Sequence, residues 1–383
     1  MNSPVTLQIM TGGFDTQSVS FEEIKNKLEA TLPLIPASRV IMGWALDKSV
    51  YEQTVDFLGH RGIECYLWLP VFSERRSLRQ SSPIVGYRGQ PARPYRFADG
   101  TELDFYCPVD PINVSAALSI FDQYFSQVGF DGVFIDKIRY PSFILGLDGA
   151  LSCFCPHCLQ AYQDAQLDVD ALRDEIEQLP KLATPFGITA YRGGSYQFSN
   201  DLWQQFFQFR SQLVFDSLNS LTNQLRQLGY RIGMDVFAPF MSQFVGQDIP
   251  KLSTICDFIK PMMYRATNEP AGMTFELDAM LNQTGSSAEC RASFADLLGL
   301  DIDQQPFDLS FASKDLAWLS DACSCPVQAG IEINREPGVA EVGPAYIDET
   351  MRAFSQVTPD GFVLAWNLLE VPEENVEAVA NLF

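Results

Sequence analysis

Histidine is nearly absent from this 383-residue chain, which holds only His60 and His157. A Ser-His-Asp or Cys-His nucleophile therefore has no well-placed base. No His–carboxylate set resembles a catalytic metal centre either. Positive charge is also scarce: 26 Lys and Arg face 48 Asp and Glu, for a net charge of −22 without a basic cluster. Duplex nucleic acid and anionic membrane surfaces both need concentrated positive charge, so neither is expected as a partner. No apolar run approaches the ~20 residues of a membrane span. The start, Met1-Asn2-Ser3-Pro4, runs straight into strand-like sequence without the basic and apolar regions of a secretory signal. No Gly-rich phosphate loop follows the first strand, because Thr11-Gly12-Gly13-Phe14-Asp15 is too short to count, and no organic cofactor is expected. Nine cysteines, an odd number, do not form a disulfide framework in a chain this long. A reducing, cytoplasmic address with one metal site accounts better for the crowding in Cys153-Phe154-Cys155-Pro156-His157-Cys158.

What is present is an alternation of strand and helix. Hydrophobic residues at 46% and charged residues at 19% fit a folded enzyme. Strands are expected at Val5–Thr11, Arg39–Trp44, Glu64–Val71, Asp131–Ile138, Arg231–Phe237, Asp257–Tyr264, Val327–Asn334 and Gly361–Trp366. Helix-like segments follow them at Phe21–Leu32, Ser49–His60, Val114–Val128, Asp201–Leu228, Ile249–Ile255, Phe275–Asn282, Tyr346–Phe354 and Glu373–Leu382. This pattern predicts an α/β fold, a single (β/α)8 barrel over residues 1–383, with a doubly wound sheet as the runner-up. Two connections, 72–112 after the third strand and 139–200 after the fourth, are far longer than usual. Both leave the C-terminal strand ends, the active-site face of a barrel, and should wall one side of a cleft.

Strand alternation assigns the inward side chains. In Phe130–Ser142, Asp136 takes the last inward step of a strand, a costly place for an acid without a purpose. The same phase sends Asp235 inward on the fifth strand, Lys260 and Tyr264 on the sixth, and Glu332 and Asn334 on the seventh. Trp68 from the third strand and Trp366 from the eighth sit near the rim. Local pairing, for instance of Asp136 with Lys260 or Arg139, is the structural alternative. Three converging carboxylates with aromatic platforms are the equipment of glycoside hydrolysis, in which one acid is protonated and another ionised. Asp136, beside Lys137 and Arg139, suits the ionised role, and Asp235, beside Val236 and Phe237, the protonated one. Arg139, Lys260, Tyr264, Asn334, Trp68 and Trp366 are the candidate substrate-binding residues. A non-catalytic carbohydrate-binding barrel, and a metal-dependent lyase or an aldolase using Lys260 as a Schiff base, are the rival readings.

The segments FDGVFIDKIRYPS (130–142), MDVFAP (234–239), DFIKPMMY (257–264), GIEINRE (330–336) and DGFVLAWN (360–367) resemble those of glycoside-hydrolase barrels of uncharacterised specificity. The positions of Asp136, Asp235 and Glu332 also resemble the alpha-amylase family, which implies nucleophile, proton donor and stabiliser in that order. The chain departs from that family with Asp on strand five, Glu on strand seven and none of its histidines. Clan A glycosidases place their acids on strands four and seven, which would pair Asp136 with Glu332 instead. The Cys153, Cys155 and Cys158 cluster resembles the zinc site of family 42 beta-galactosidases. That resemblance implies Cys107 as a fourth thiolate, with His157 as the alternative, and a structural zinc tying the two long loops together. Cys323 and Cys325 are spaced too tightly for an obvious metal role, and Cys65 and Cys256 read as ordinary strand and core residues.

Overall fold

A computed structural model describes residues 4–75, 78–97, 100–285, 287–357 and 360–383, so Met1, Asn2 and Ser3 of the expected leaderless start lie outside the described residues. Eight parallel strands form the centre: β1 (Val5–Met10), β2 (Ala37–Gly43), β3 (Glu64–Pro70), β4 (Gly132–Asp136), β5 (Arg231–Val236), β6 (Phe258–Pro261), β7 (Ala329–Glu332) and β8 (Phe362–Ala365). Their order around the sheet is β6-β5-β4-β3-β2-β1-β8-β7. Two isolated parallel bridges, Ile259 to Val327 and Met262 to Gly330, join β6 to β7 and bring the ends together into a nearly closed (β/α)8 barrel. Each expected strand is present, most of them shorter than expected.

The strands are nearly continuous apolar runs because both faces are covered. Val5, Leu7 and Ile9, or Val133 and Ile135, are fully buried beneath the outer helices. The helices that cover the strands are α1 (Phe21–Thr31), α2 (Lys48–Gly59), α3 (Pro111–Ile120), α4 (Asp201–Gln227), α5 (Ile249–Leu252), α6 (Leu309–Ala322), α7 (Pro344–Ser355) and α8 (Glu373–Ala380). Helix α3 begins earlier than expected because Asp110 accepts the Ile112 N–H and Pro111 occupies the first helical position. After β6 the expectation of one helix at Phe275–Asn282 falls short. Met273–Thr284 is followed by Ala288–Leu298 and then by α6, which Asp308 caps through the N–H groups of Ser310 and Phe311. No helix among the described residues is long and apolar enough to cross a membrane.

The long connections carry substructure. Residues 72–112 contain a small hairpin, Tyr95–Arg96 with Glu102–Leu103. Residues 139–200 contain helices at Pro156–Asp164 and Val169–Gln178 and a hairpin of Ile188–Arg192 with Ser195–Phe198. The fully buried Arg210 of α4 holds this second connection down, donating to the Ala150 carbonyl at 2.8 Å and the Phe244 carbonyl at 2.9 Å.

Inside the barrel, large side chains face glycines. The rings of Tyr66 and Phe134 each lie 5.8 Å from that of Phe258, and the Arg39 guanidinium lies over Tyr66 and Phe258. A Cβ on Gly132 would fall 2.4 Å from the Tyr66 ring and 2.6 Å from the Arg231 carbonyl oxygen. Since backbone cannot yield as a flexible side chain can, Gly132→Ala should destabilise the chain by about 1–3 kcal/mol. Urea unfolding checks this, and a loss below about 0.5 kcal/mol would place the methyl in open space.

Candidate active site

The three inward carboxylates sit at the C-terminal ends of β4, β5 and β7, all nearly or fully buried. Trp68, on the neighbouring strand, donates its indole N–H to Asp136 Oδ2 at 2.9 Å. Lys137, the next residue, takes the left-handed conformation (φ 52°) and turns its backbone N–H onto Asp136 Oδ1. Its ammonium lies 2.5 Å from Glu74 Oε1 and over the Trp44 ring. Asp136 is thus held by N–H donors at both oxygens, rather than by Lys260 or Arg139.

Lys260 pairs instead with Asp235, its direct neighbour in the β5–β6 register. The Nζ–Oδ2 distance is 2.8 Å, and the same ammonium donates to Gln8 Oε1 at 3.1 Å. Asp235 Oδ1 has no hydrogen-bond partner among the described residues. Burial pushes the Asp235 carboxyl up to about 7; Lys260 pulls it down, and the nearby Asp136 charge pushes it up. Glu332 is fully buried and accepts the Ala266 N–H at Oε1, 2.6 Å away. Burial raises it to about 7 as well, and Tyr346 of α7 lies close to its carboxyl without a well-formed hydrogen bond.

Tyr264 joins the three acids. Burial raises its hydroxyl well above the ordinary range, and the fields of Asp235, Glu332 and Asp136 all push in the same direction. Its ring packs 5.7 Å from that of the half-buried Trp366. On the β4 side, Arg139 is 5% exposed and rests on the rings of Phe237 at 4.1 Å and Phe105 at 4.8 Å. Burial lowers it to about 10, against the fields of Glu276, Asp136 and Asp235. Asn334 is fully buried, and neither amide atom has a hydrogen-bond partner among the described residues. Such a group is costly unless something polar meets it.

Two residues at the mouth were not anticipated. Trp44 packs edge-on to Trp68 at 4.9 Å, and its indole nitrogen has no hydrogen-bond partner among the described residues. Strand β2 ends at Gly43, so the alternation along the strand does not govern Trp44. Glu276, 1% exposed in the helix Met273–Thr284, accepts the Ala271 N–H, and Ser142 lies close to its carboxyl without a well-formed hydrogen bond. Its place among Met273, Leu277 and Met280 on the apolar face of that helix was a readable sign. A 580 Å³ cavity lies on the 72–112 connection and is not lined by the three acids. Phe105, on which Arg139 rests, is one of its lining residues.

The four cysteines expected to gather do so. The Sγ atoms of Cys107, Cys153, Cys155 and Cys158 lie within 4.8 Å of one another, all buried, a set that could hold a metal ion. Cys107 is 3.6 Å from Cys155 and 3.5 Å from Cys158, contact distances well beyond the ~2.05 Å of a disulfide. Mutual hydrogen bonds, that from Cys107 foremost, pull the Cys155 thiol far down. His157 stands apart, half-exposed, with Nε2 3.4 Å from Asp110. Cys256 is buried, as expected of a core residue, and its sulfur lies 3.6 Å from that of Cys325.

The sequence matches no family model and no curated protein. Among solved structures, the chain resembles the glycoside hydrolase domain of PgaB (BpsB) from Bordetella bronchiseptica, with a TM-score of 0.62 at 12% identity, over 99% of this chain and 98% of that one. An alpha-L-fucosidase isoenzyme 2 from Paenibacillus thiaminolyticus aligns with a TM-score of 0.49 at 9% identity, over 99% of this chain and 48% of that one. A class V chitinase from Pseudomonas fluorescens Pf-5 gives 0.48 at 9% identity over the whole of both chains. At such identities the likeness to PgaB establishes the fold.

The raised carboxyls have a thermodynamic consequence. Between the ordinary carboxyl range and about 7, the folded chain binds protons at Asp235 and Glu332 that the unfolded chain has released. Their stabilising contribution is therefore complete at acid pH and is lost as pH rises to about 7, at up to about 1.4 kcal/mol per pH unit for each group. Asp235→Asn should flatten this slope by one group's share in urea unfolding between about pH 5 and about pH 7. An unchanged slope would mean that Asp235 is ionised throughout.

Proposed function

We propose that this chain is a glycoside hydrolase that cleaves a small oligosaccharide or glycoside at the mouth of the barrel. The observation that carries this reading is the convergence of Asp136, Asp235 and Glu332 on Tyr264, beneath Trp44, Trp68 and Trp366. Indole and phenol faces suit the apolar faces of sugar rings. The PgaB domain that shares this fold is itself a glycoside hydrolase domain, which agrees with the reading.

In this mechanism Asp235 is the acid. A carboxyl raised to about 7 retains its proton near neutrality and can deliver it to the glycosidic oxygen as the bond to the anomeric carbon breaks. Asp136 is the base or nucleophile. Either it takes a proton from the attacking water, or it bonds to the anomeric carbon and is later displaced by water, which gives its proton to the Asp235 carboxylate. Trp68 and the Lys137 N–H hold its two oxygens in place. Glu332 stabilises the positive charge that develops on the sugar, while Arg139, Asn334 and Tyr264 orient hydroxyl groups. Glu332 as the acid is the second reading, because burial raises it to about the same level as Asp235. Lys260, 1% exposed and engaged by Asp235 and Gln8, is better suited to tuning Asp235 than to forming a Schiff base.

The four sulfurs are proposed to hold a structural zinc ion. Tetrahedral coordination at ~2.3 Å from zinc to sulfur sets neighbouring sulfurs about 3.8 Å apart. The 3.5 and 3.6 Å contacts of Cys107 require only a small expansion. The ion would clamp the 72–112 connection to the 139–200 connection and take no part in the chemistry.

A panel of aryl glycosides tests the activity. Wild type should turn over at least one of them, and Asp136→Asn should lose about 10³-fold or more in kcat. Sugar binding without turnover by wild type would favour a binding protein. Metal analysis of the purified chain should find one zinc per chain, with Cys107→Ser losing most of it; a folded, zinc-free wild type would refute the clamp.

A further inference from the structure

A groove of 370 Å³ lies on the outer wall of the barrel, between α4, the turn after β5 and the 188–198 hairpin. None of the mouth residues lines it. Its walls are amides: Gln204, Gln208 and Gln212 follow one another at helical four-residue spacing along α4, facing Gln243 and Gln247 from the turn. The floor is well covered, with Gln243 9% exposed, Gln247 2%, Ser242 3% and Ser211 8%. Gln247 accepts the Phe237 N–H at Oε1, 2.9 Å away, which fixes the amide and leaves its buried Nε2 without a hydrogen-bond partner among the described residues. At one end the Gly193-Gly194 turn is pressed on the Trp318 indole, where a Cβ on either glycine would fall 2.4–2.6 Å from ring atoms.

The charges at the edge are already engaged. Asp248 caps its own helix by accepting the Lys251 N–H, and the Lys251 ammonium donates to Gln212 and lies over the Phe215 ring. What remains is a set of neutral donors and acceptors, on a chain whose net charge is −22. Lys251 is the one cation among the lining residues, held by Gln212 and the Phe215 ring, and the exposed Asp248 beside it opposes a phosphorylated or acidic ligand. An apolar ligand would cover the wall amides without pairing them. A ligand with many hydroxyl groups can pair with those amides both as donor and as acceptor. The volume, near the lower end of the ~300–1,000 Å³ range of ligand pockets, suits one or two sugar rings.

We propose that this groove is a second carbohydrate-binding site, separate from the barrel mouth and specific for a neutral sugar. The inference goes beyond the activity assigned to the mouth and does not depend on it.

Incorporating fluorotryptophan at the five tryptophans provides the test, with the Trp318 fluorine signal assigned by Trp318→Phe. The Asp136→Asn protein, in which turnover is blocked, is titrated with glucose, N-acetylglucosamine, cellobiose and N,N′-diacetylchitobiose. At least one of the four should move the Trp318 signal with saturation in the millimolar range. The double change Gln204→Ala and Gln208→Ala, on the open wall of the groove, should weaken that response about fivefold or more while leaving wild-type turnover unchanged. The proposal is overturned if none of the four sugars moves the Trp318 signal, or if the double variant responds with unchanged affinity. Movement at Trp68 and Trp366 alone would place binding at the mouth only and would also overturn it.

Discussion

The contact between Lys260 and Asp235 is the constraint on which the centre of this barrel depends. Both side chains are at most 2% exposed, and their 2.8 Å ion pair lies on adjacent strands in direct register. Removing one partner of such a pair typically costs about 3–5 kcal/mol, whereas an apolar pair of similar size would often fold as well. Stability alone is therefore a weak reason for placing an acid there. Gly330 leaves room for the lysine stem, since a Cβ would fall 2.5 Å from Lys260 Cε, and Gln8 takes a second ammonium proton. Burial and the field of Asp136 then outweigh the cation and leave Asp235 poised near neutrality.

The mouth is braced from outside the barrel. Cys107 on one long connection meets Cys153, Cys155 and Cys158 on the other, and Val85 donates its N–H to the Cys153 sulfur at 3.2 Å. Asn113 ties the same corner to α3 by donating to the Cys107 carbonyl at 2.8 Å. Phe105, two residues before Cys107, supports Arg139, whose field reaches both Asp136 and Asp235. The sulfur corner and the acids are in this way linked through Phe105 and Arg139.

Much of this was legible in the sequence, and the reasons differ by element. The eight strands were readable because short β-branched apolar runs between helical segments fit strands buried on both faces, and alternation then located the inward acids. The Cys-x-Cys-x-x-Cys spacing was equally direct. Alternation could not choose a partner for Lys260, since Asp136 and Asp235 are both inward; only the β5–β6 register decides that. Trp44 closed the expected second strand but was given no face there, and the strand in fact ends at Gly43, where the period of two lapses. Glu276 belongs to a helix whose existence was expected, but an acid on its apolar face breaks the rule that charge faces solvent. Helix α6 escaped because the preceding stretch holds two other helices, and a single pattern of one helix per strand hides them. The contact of Cys256 with Cys325 joins residues 69 positions apart, beyond the reach of local spacing.

In the proposed mechanism Asp235 supplies the proton and Asp136 the negative charge. The most direct measurement is the dependence of kcat/KM on the acidity of the leaving group, for a series of aryl glycosides of one sugar. In Asp235→Asn, glycosides with acidic phenols, which need no protonation, should react nearly as fast as with wild type, while those with poor leaving groups fall away steeply. Asp136→Asn should lose activity on the whole series alike. An Asp235→Asn variant that loses the same factor on every leaving group would contradict the assignment, and the same test on Glu332→Gln would then identify the acid.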